Sequence, residues 1–276
     1  MQHRSMWERS LVQLAPSILG LGALMALLSG CTTVPETGRQ QLRLISTSEE
    51  VRLGLRSFEH LKKELKISQD AQARAMVERV GRALAAVAPL PDAQWEFVLF
   101  ESAEANAFCL PGGKVGVYTG LLPITRDEAG LAAVLGHEVA HAVARHGAER
   151  LSHELLRQAG GQILAASISH TDPRAQQLAG LAYGLGTQIG AILPYSRLHE
   201  SEADHLGLLF MARAGYDPRA AIDFWQRFAE YNRLHGGART PLWLRTHPLD
   251  ETRIRQLEQW LPQALAEYEK AKARTP

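Results

Sequence analysis

Apolar residues Leu131, Val134, Leu135, Val139 and Val143 recur at helical spacing and predict a helix with one strongly apolar side. The stretch opens on Thr125-Arg126-Asp127-Glu128, which fits a capping box with the hydroxyl at N-cap and the carboxylate at N3. A second capping box, Thr47 to Glu50, predicts a helix running to about Lys66, and Asp70 caps another that ends before Pro89. Gln94 to Glu101 sets Trp95, Phe97 and Leu99 against Glu96, Val98 and Phe100, a strand with both faces largely covered. Ala107–Cys109 and Lys114–Thr119 read as strands joined by the Pro111-Gly112-Gly113 turn. Further on, Gly215 closes one helix, while Asp217 at N-cap and Pro218 at N1 open the next. Leu257, Leu261, Leu265 and Tyr268 mark an amphipathic helix across 249–270. The Gly/Ala-rich run 178–193 is short for a membrane span and predicts a packed or membrane-facing helix. There is no internal repeat. The pattern describes one mainly helical domain, residues 47–276, with a few short strands.

The first of these helices carries His137-Glu138-Val139-Ala140-His141. Residues four apart share a helical face, so both imidazoles can reach one ion. Glu138 is rotated by about a third of a turn, which aims its carboxylate at a water on the open side of the metal. Zinc lowers the pKa of such a water to about 7, and the carboxylate takes its proton as it attacks a carbonyl. Two bare imidazoles on a buried helix would be costly without a partner. His146, five residues beyond His141, points elsewhere and reads as structural.

A further ligand must come from another segment, and 195–204 offers one. Glu200 and Asp204 share a helical face, so one can bind metal while the other orients a ligating histidine. His199 stays open as a ligand but is offset from that face. Glu202 points the opposite way, towards solvent or an ion pair.

Four motifs in order carry a family resemblance: Asn106 to Gly113, His137 to His141, Glu200 to Asp204, and Thr246-His247-Pro248. The chain resembles the membrane-associated zinc endopeptidases of metallopeptidase family forty-eight, most nearly its periplasmic lipoproteins but without their C-terminal helical repeats. The resemblance implies an α+β fold, a mainly helical zincin domain with a small mixed β-sheet. It implies one zinc ion per chain on His137, His141 and Glu200, with Glu138 as general base and Asp204 behind a ligand. It also suggests that Asn106, Ala107 and Phe108 form an edge strand that pairs with extended substrate. His247, on a loop, would sit near the zinc. There it either fills the open position and holds the enzyme inactive, or donates a hydrogen bond to the oxyanion of the transition state.

The amino terminus adds an address. Arg4 and Arg9 precede an apolar stretch from Leu11 to Leu28, and Leu28-Ser29-Gly30-Cys31 fits a lipobox. Residues 1–30 are therefore expected to be a lipoprotein signal peptide, Cys31 the lipidated residue and 31–46 a membrane tether. Thr32 in place of Asp favours the outer membrane, on its periplasmic face.

Charge narrows the partners. The chain carries 30 basic and 29 acidic residues, and no basic excess argues for nucleic acid. With Cys31 acylated, Cys109 is the only thiol left, and no base flanks it to make it a nucleophile. The expected substrates are unfolded or misassembled envelope polypeptides. The alternative is a metal-bound chaperone or assembly factor for outer-membrane proteins whose protease activity is latent.

Overall fold

The computed structural model describes residues 31–188, 193–235, 243, 247 and 251–274. The expected signal segment 1–30, the end of the apolar run at 189–192, Thr246, Pro248 and Leu249 lie outside the described residues. Strands β1 (Cys31–Thr33) and β2 (Gln40–Leu42) pair antiparallel, and helices α1 (Thr47–Glu64) and α2 (Ala71–Ala85) follow. Strands β3 (Glu96–Phe100), β4 (Ala107–Leu110) and β5 (Lys114–Tyr118) form a sheet in the order β3-β5-β4. Within it β3 runs parallel to β5 and β4 antiparallel. The short α3 (Leu122–Thr125) leads into α4 (Glu128–Val143), α5 (His146–Ser167), α6 (Pro173–Thr187), α7 (Leu193–Arg213), α8 (Arg219–His235) and α9 (Glu251–Arg274). This is the expected α+β class, mainly helical with a small mixed sheet.

Two helix starts differ from the sequence reading. The N-cap of α1 is Ser46, one residue before Thr47, and its side chain accepts from Glu49 N at 3.2 Å. The N-cap of α4 is Asp127, whose carboxylate accepts from Gly130 N at 2.8 Å. Thr125 instead ends α3, and Arg126, at φ 68°, turns the chain between the two helices. An aspartate at N-cap gains from the helix dipole as well as from the hydrogen bond, where threonine offers only the bond. Asp70 caps α2 as expected. In the turn after β4, Gly112 and Gly113 hold φ of 85° and 80°, a region that side chains disfavour.

Helix α4 is buried continuously from Gly130 to His141. It lies among α2, α7, α8 and β4, and a helix apolar on every side belongs in a core. The histidine motif therefore has no solvent face, and its polar groups must be satisfied from within. The closest neighbour is α7. A Cβ on Gly136 would stand 2.7 Å from Gly207 O, and one on Gly207 would stand 2.7 Å from His137 N. The two backbones meet directly beside the first histidine. On the far side of the sheet Phe58, Phe100 and Tyr118 form a separate aromatic cluster with Phe108 packed against it.

Residues 31–45 fold back on the domain. Val34 and Ile45 are buried, and Leu44 N donates to Ser152 Oγ of α5 at 2.9 Å. Beyond Ser152 helices α5 and α6 form a hairpin, joined where Tyr183 Oη donates to Arg157 O at 3.0 Å. No residue of α6 is buried, and Ile163, Leu178, Leu181 and Leu185 are exposed. The described part of the Gly/Ala-rich run touches α5 but leaves its leucines exposed. Among the described residues, no helix is long and apolar enough to cross a membrane.

The crossing gives a signed test with two glycines. Gly180, in α6, has open space around it, so Gly180→Ala should stabilise by about 1 kcal/mol through helix propensity. Gly207→Ala gains the same propensity but forces a methyl onto the His137 backbone, so it should destabilise, overpacking costing about 1–3 kcal/mol. A denaturant melt checks Gly207→Ala, and amide hydrogen exchange across α6 checks Gly180→Ala.

Candidate metal centre

Four buried side chains converge where α4 crosses α7. Donor atoms of His137, His141, Glu200 and His247 all lie within 4.8 Å of one another. His137 Nε2 is 3.0 Å from His141 Nε2 and 3.1 Å from His247 Nδ1. One Glu200 oxygen is 2.8 Å from His247 Nδ1 and 3.3 Å from His137 Nε2, and the other is 3.5 Å from His141 Nε2. Three imidazole nitrogens and one carboxylate oxygen in a buried space suit a four-coordinate zinc ion. The residues present fit a divalent metal.

Electrostatics support that fit. Burial works against charge on His137, but hydrogen bonds to Asp204 and Glu200 outweigh it and raise the imidazole to about 9. Burial and the charge of His137 push His141 down. Burial opposes ionisation of Glu200 as well, yet contacts with His137 and His247 hold its carboxyl well below the usual range.

Around the cluster a further layer fixes the rings. Asp204 Oδ1 lies 2.8 Å from His137 Nδ1, which leaves Nε2 facing the other donors. Arg253 of α9 donates to Asp204 Oδ1 at 2.6 Å, and its guanidinium lies 3.4 Å from the centroid of the Trp225 ring. Glu138 Oε1 accepts from Trp243 Nε1 at 2.6 Å and stands 3.4 Å from His247 Nε2. Trp243 also stacks on Trp225. The sequence reading missed Trp243. Its one local clue is the spacing of four from His247, whose N–H donates to Trp243 O at 2.8 Å.

Glu202 faces away from the cluster, as helical geometry requires, but not towards solvent. It is buried. Arg39 Nε donates to Glu202 Oε2 at 2.8 Å, His146 Nε2 lies 2.9 Å from the same oxygen, and the Thr37 hydroxyl donates to Oε1. The ion-pairing expectation holds and the solvent-facing one fails, because residues 31–45 cover that side of α7. His199 lies outside the metal cluster, with Nε2 2.8 Å from Glu149 Oε2 and its ring stacked on His146. Burial pushes His146 down to about 4, against its contact with Glu202. For Glu149 burial is again opposed, by hydrogen bonds from His199 and Arg39, which hold its carboxyl at about 2.

Strand β4 lies at one edge of the sheet, and α4 packs on it. The opposite edge, β3, is partly covered: Ser68 N donates to Leu99 O and Glu101 N to Lys66 O. Of the three residues expected in the edge strand, Asn106 just precedes it and accepts from Tyr118 N through its carbonyl at 2.9 Å. Ala107 is buried, and Phe108 joins the aromatic cluster. Burial and the charge of Glu138 push the Cys109 thiol up, so it stays protonated and unsuited to attack. Cys31 is exposed and pairs across from Leu42.

Buried metal-binding donors, with the Glu138 carboxylate beside them on the helix that supplies two of them, are what a metal-dependent hydrolase requires. Residues 71–261 match the sequence profile of Peptidase family M48, and the chain belongs to that family. It is 35% identical over 239 residues to the mitochondrial metalloendopeptidase OMA1 of Schizosaccharomyces pombe, covering 86% of this chain and 68% of that protein. Human metalloendopeptidase OMA1 is 35% identical over 83% of this chain and 44% of its own length. The beta-barrel assembly-enhancing protease of Escherichia coli is 28% identical over 88% of this chain and 51% of its own. The chain spans about half the length of the last two.

Glu149, like Glu202, is a buried carboxylate held at about 2, and both contribute to acid sensitivity. The Glu149 carboxyl is held below the ordinary range, so the stability it contributes is complete above about 4.5 and is lost as pH falls through about 2. Melting temperature should drop over that window, and Glu149→Gln should flatten the drop. An unchanged acid limb in the variant would remove Glu149 from the account.

Proposed function

We propose that this chain is a zinc-dependent endopeptidase that cleaves unfolded or misassembled polypeptides of the cell envelope. The observation that carries this reading is the placement of Glu138 beside the cluster, its carboxylate oriented by the Trp243 indole. His137, His141 and Glu200 would hold one zinc ion, with Asp204 and Arg253 fixing the first ring. Bound there, zinc supplies Lewis acidity, acidifying water and polarising the scissile carbonyl. Glu138 takes the water proton and passes one to the leaving amine. Strand β4, at an edge of its sheet and packed by α4, suits an extended substrate held by main-chain hydrogen bonds.

His247 defines the state of the site. Its Nδ1 stands among the ligand atoms, where it would complete a four-membered donor set in place of water. Trp243, on the same segment, engages the base. One short segment thus holds the nucleophile position and the general base together, and the arrangement reads as a closed form. Opening moves His247 aside, and only then does an oxyanion role become available to it.

The name of the Escherichia coli relative, a beta-barrel assembly-enhancing protease, supports envelope substrates. The lipobox at Cys31 supports a lipid anchor, on the periplasmic face and with the outer membrane favoured. The second reading, an assembly factor with latent protease activity, draws on the same placement of His247 and Trp243.

Casein digestion with and without chelator tests the first reading against the second. Glu138→Gln should lower turnover on the order of 10²–10⁴-fold while keeping zinc, since it removes the base and no ligand. Near-normal turnover in a folded, zinc-loaded variant would overturn the mechanism. His247→Ala should raise basal proteolysis if the residue fills the fourth position. A fall at unchanged zinc content would assign it to the transition state instead.

A further inference from the structure

Residues 31–45 precede the segment that matches the family profile, yet they reach the metal cluster through an unbroken line of hydrogen bonds. His141 turns Nε2 to the cluster, so with Nε2 as a ligand atom its ring proton must sit on Nδ1. That nitrogen is 2.8 Å from Nδ1 of His146. A nitrogen-to-nitrogen contact of this length holds one proton, so His146 accepts on Nδ1 and carries its own proton on Nε2. The Nε2 proton then points at Glu202 Oε2, 2.9 Å away. Glu202 is held in turn by Arg39 Nε on that oxygen and by the Thr37 hydroxyl on the other. Every donor and acceptor along the line has one consistent assignment.

The two ligand histidines of α4 are thus supported alike. Behind His137 stands Asp204, gripped by Arg253. Behind His141 stands His146 and then Glu202, gripped by Arg39. We propose that Arg39 and Thr37 are positioning residues for the metal, fixing the tautomer and the angle of His141 through Glu202 and His146. This rests on the zinc reading given above.

Arg39 suits the task because its fork spans two carboxylates. While Nε serves Glu202, Nη1 and Nη2 donate to Glu149 Oε1 and Oε2 at 3.0 and 2.8 Å. Glu149 and Glu202 come from α5 and α7, and both are buried. Without the guanidinium their charges repel, and Glu202 turns from His146. His146 is then free to place its proton on Nδ1, where it meets the proton of His141. Two donors face each other, and His141 must rotate or present its N–H to the metal. A lysine in place of Arg39 has one ammonium and cannot serve both carboxylates with the same geometry.

The test is the zinc dissociation constant of the full chain, measured by competition with a chromophoric chelator, with the melting temperature of the metal-free protein read in parallel. Arg39→Ala should weaken zinc about 10–100-fold, as losses behind a ligating histidine do. Arg39→Lys should fall between that variant and wild type, and Thr37→Val should weaken zinc in the same direction. An unchanged zinc constant in a folded Arg39→Ala, whatever its melting temperature, would leave Arg39 a mere fastener of residues 31–45 and overturn the proposal. Should Arg39→Ala fail to fold, unchanged constants in both milder variants overturn it equally. Glu200→Ala separates the two levels: if wild type binds no zinc, or Glu200→Ala binds it as well as wild type, the zinc reading fails rather than the positioning one.

Discussion

Desolvated charge is the constraint on which the rest of this structure depends. Glu138, Glu149, Glu200, Glu202 and Asp204 are all buried around one helix crossing. The effective cost of burying an unpaired ion is several kcal/mol, so each needs a partner before any metal arrives. The fold meets that need by closing distant segments on α4 and α7. Arg39 comes from before α1, Arg253 from α9, Trp243 and His247 from between α8 and α9. Segments that look peripheral in the chain are therefore part of the centre.

This division explains how much of the molecule was legible beforehand. His137, His141, Glu200 and Asp204 could be found because their relation is local: four residues make one helical turn. Their meeting across two helices followed only from the chemistry of a shared ion and from resemblance. Helix existence was legible for the same reason, and the caps were displaced where neighbours competed. Ser46 and Thr47 offer the same hydroxyl one residue apart, and Asp127 outbids Thr125 with a charge. Glu202 and His199 were harder. A helical wheel states which way a side chain points but not what lies there. Residues 31–45 and α5 lie there. Nothing in the sequence near Arg39 announces two carboxylates more than a hundred residues away.

Sequence and geometry also mark different extents for the working unit. The family profile begins at Ala71, after β1, β2 and α1. Yet α1 supplies Phe58 to the aromatic cluster behind β4, and its Glu50 pairs with Arg145 at the left-handed junction of α4 and α5. Helix α4 is thus braced by residues that the profile does not cover.

Helix α5 joins two regions of unequal standing. Its first turns carry Glu149 and Ser152 into the buried network, whereas its remaining turns pack chiefly on α6, which buries nothing. At 22 residues it is about 33 Å long. Elements with few buried apolar contacts open at a small fraction of the global unfolding free energy. The distal hairpin is therefore expected to open more readily than the core that holds the cluster. Motion and precision are kept apart along one continuous helix.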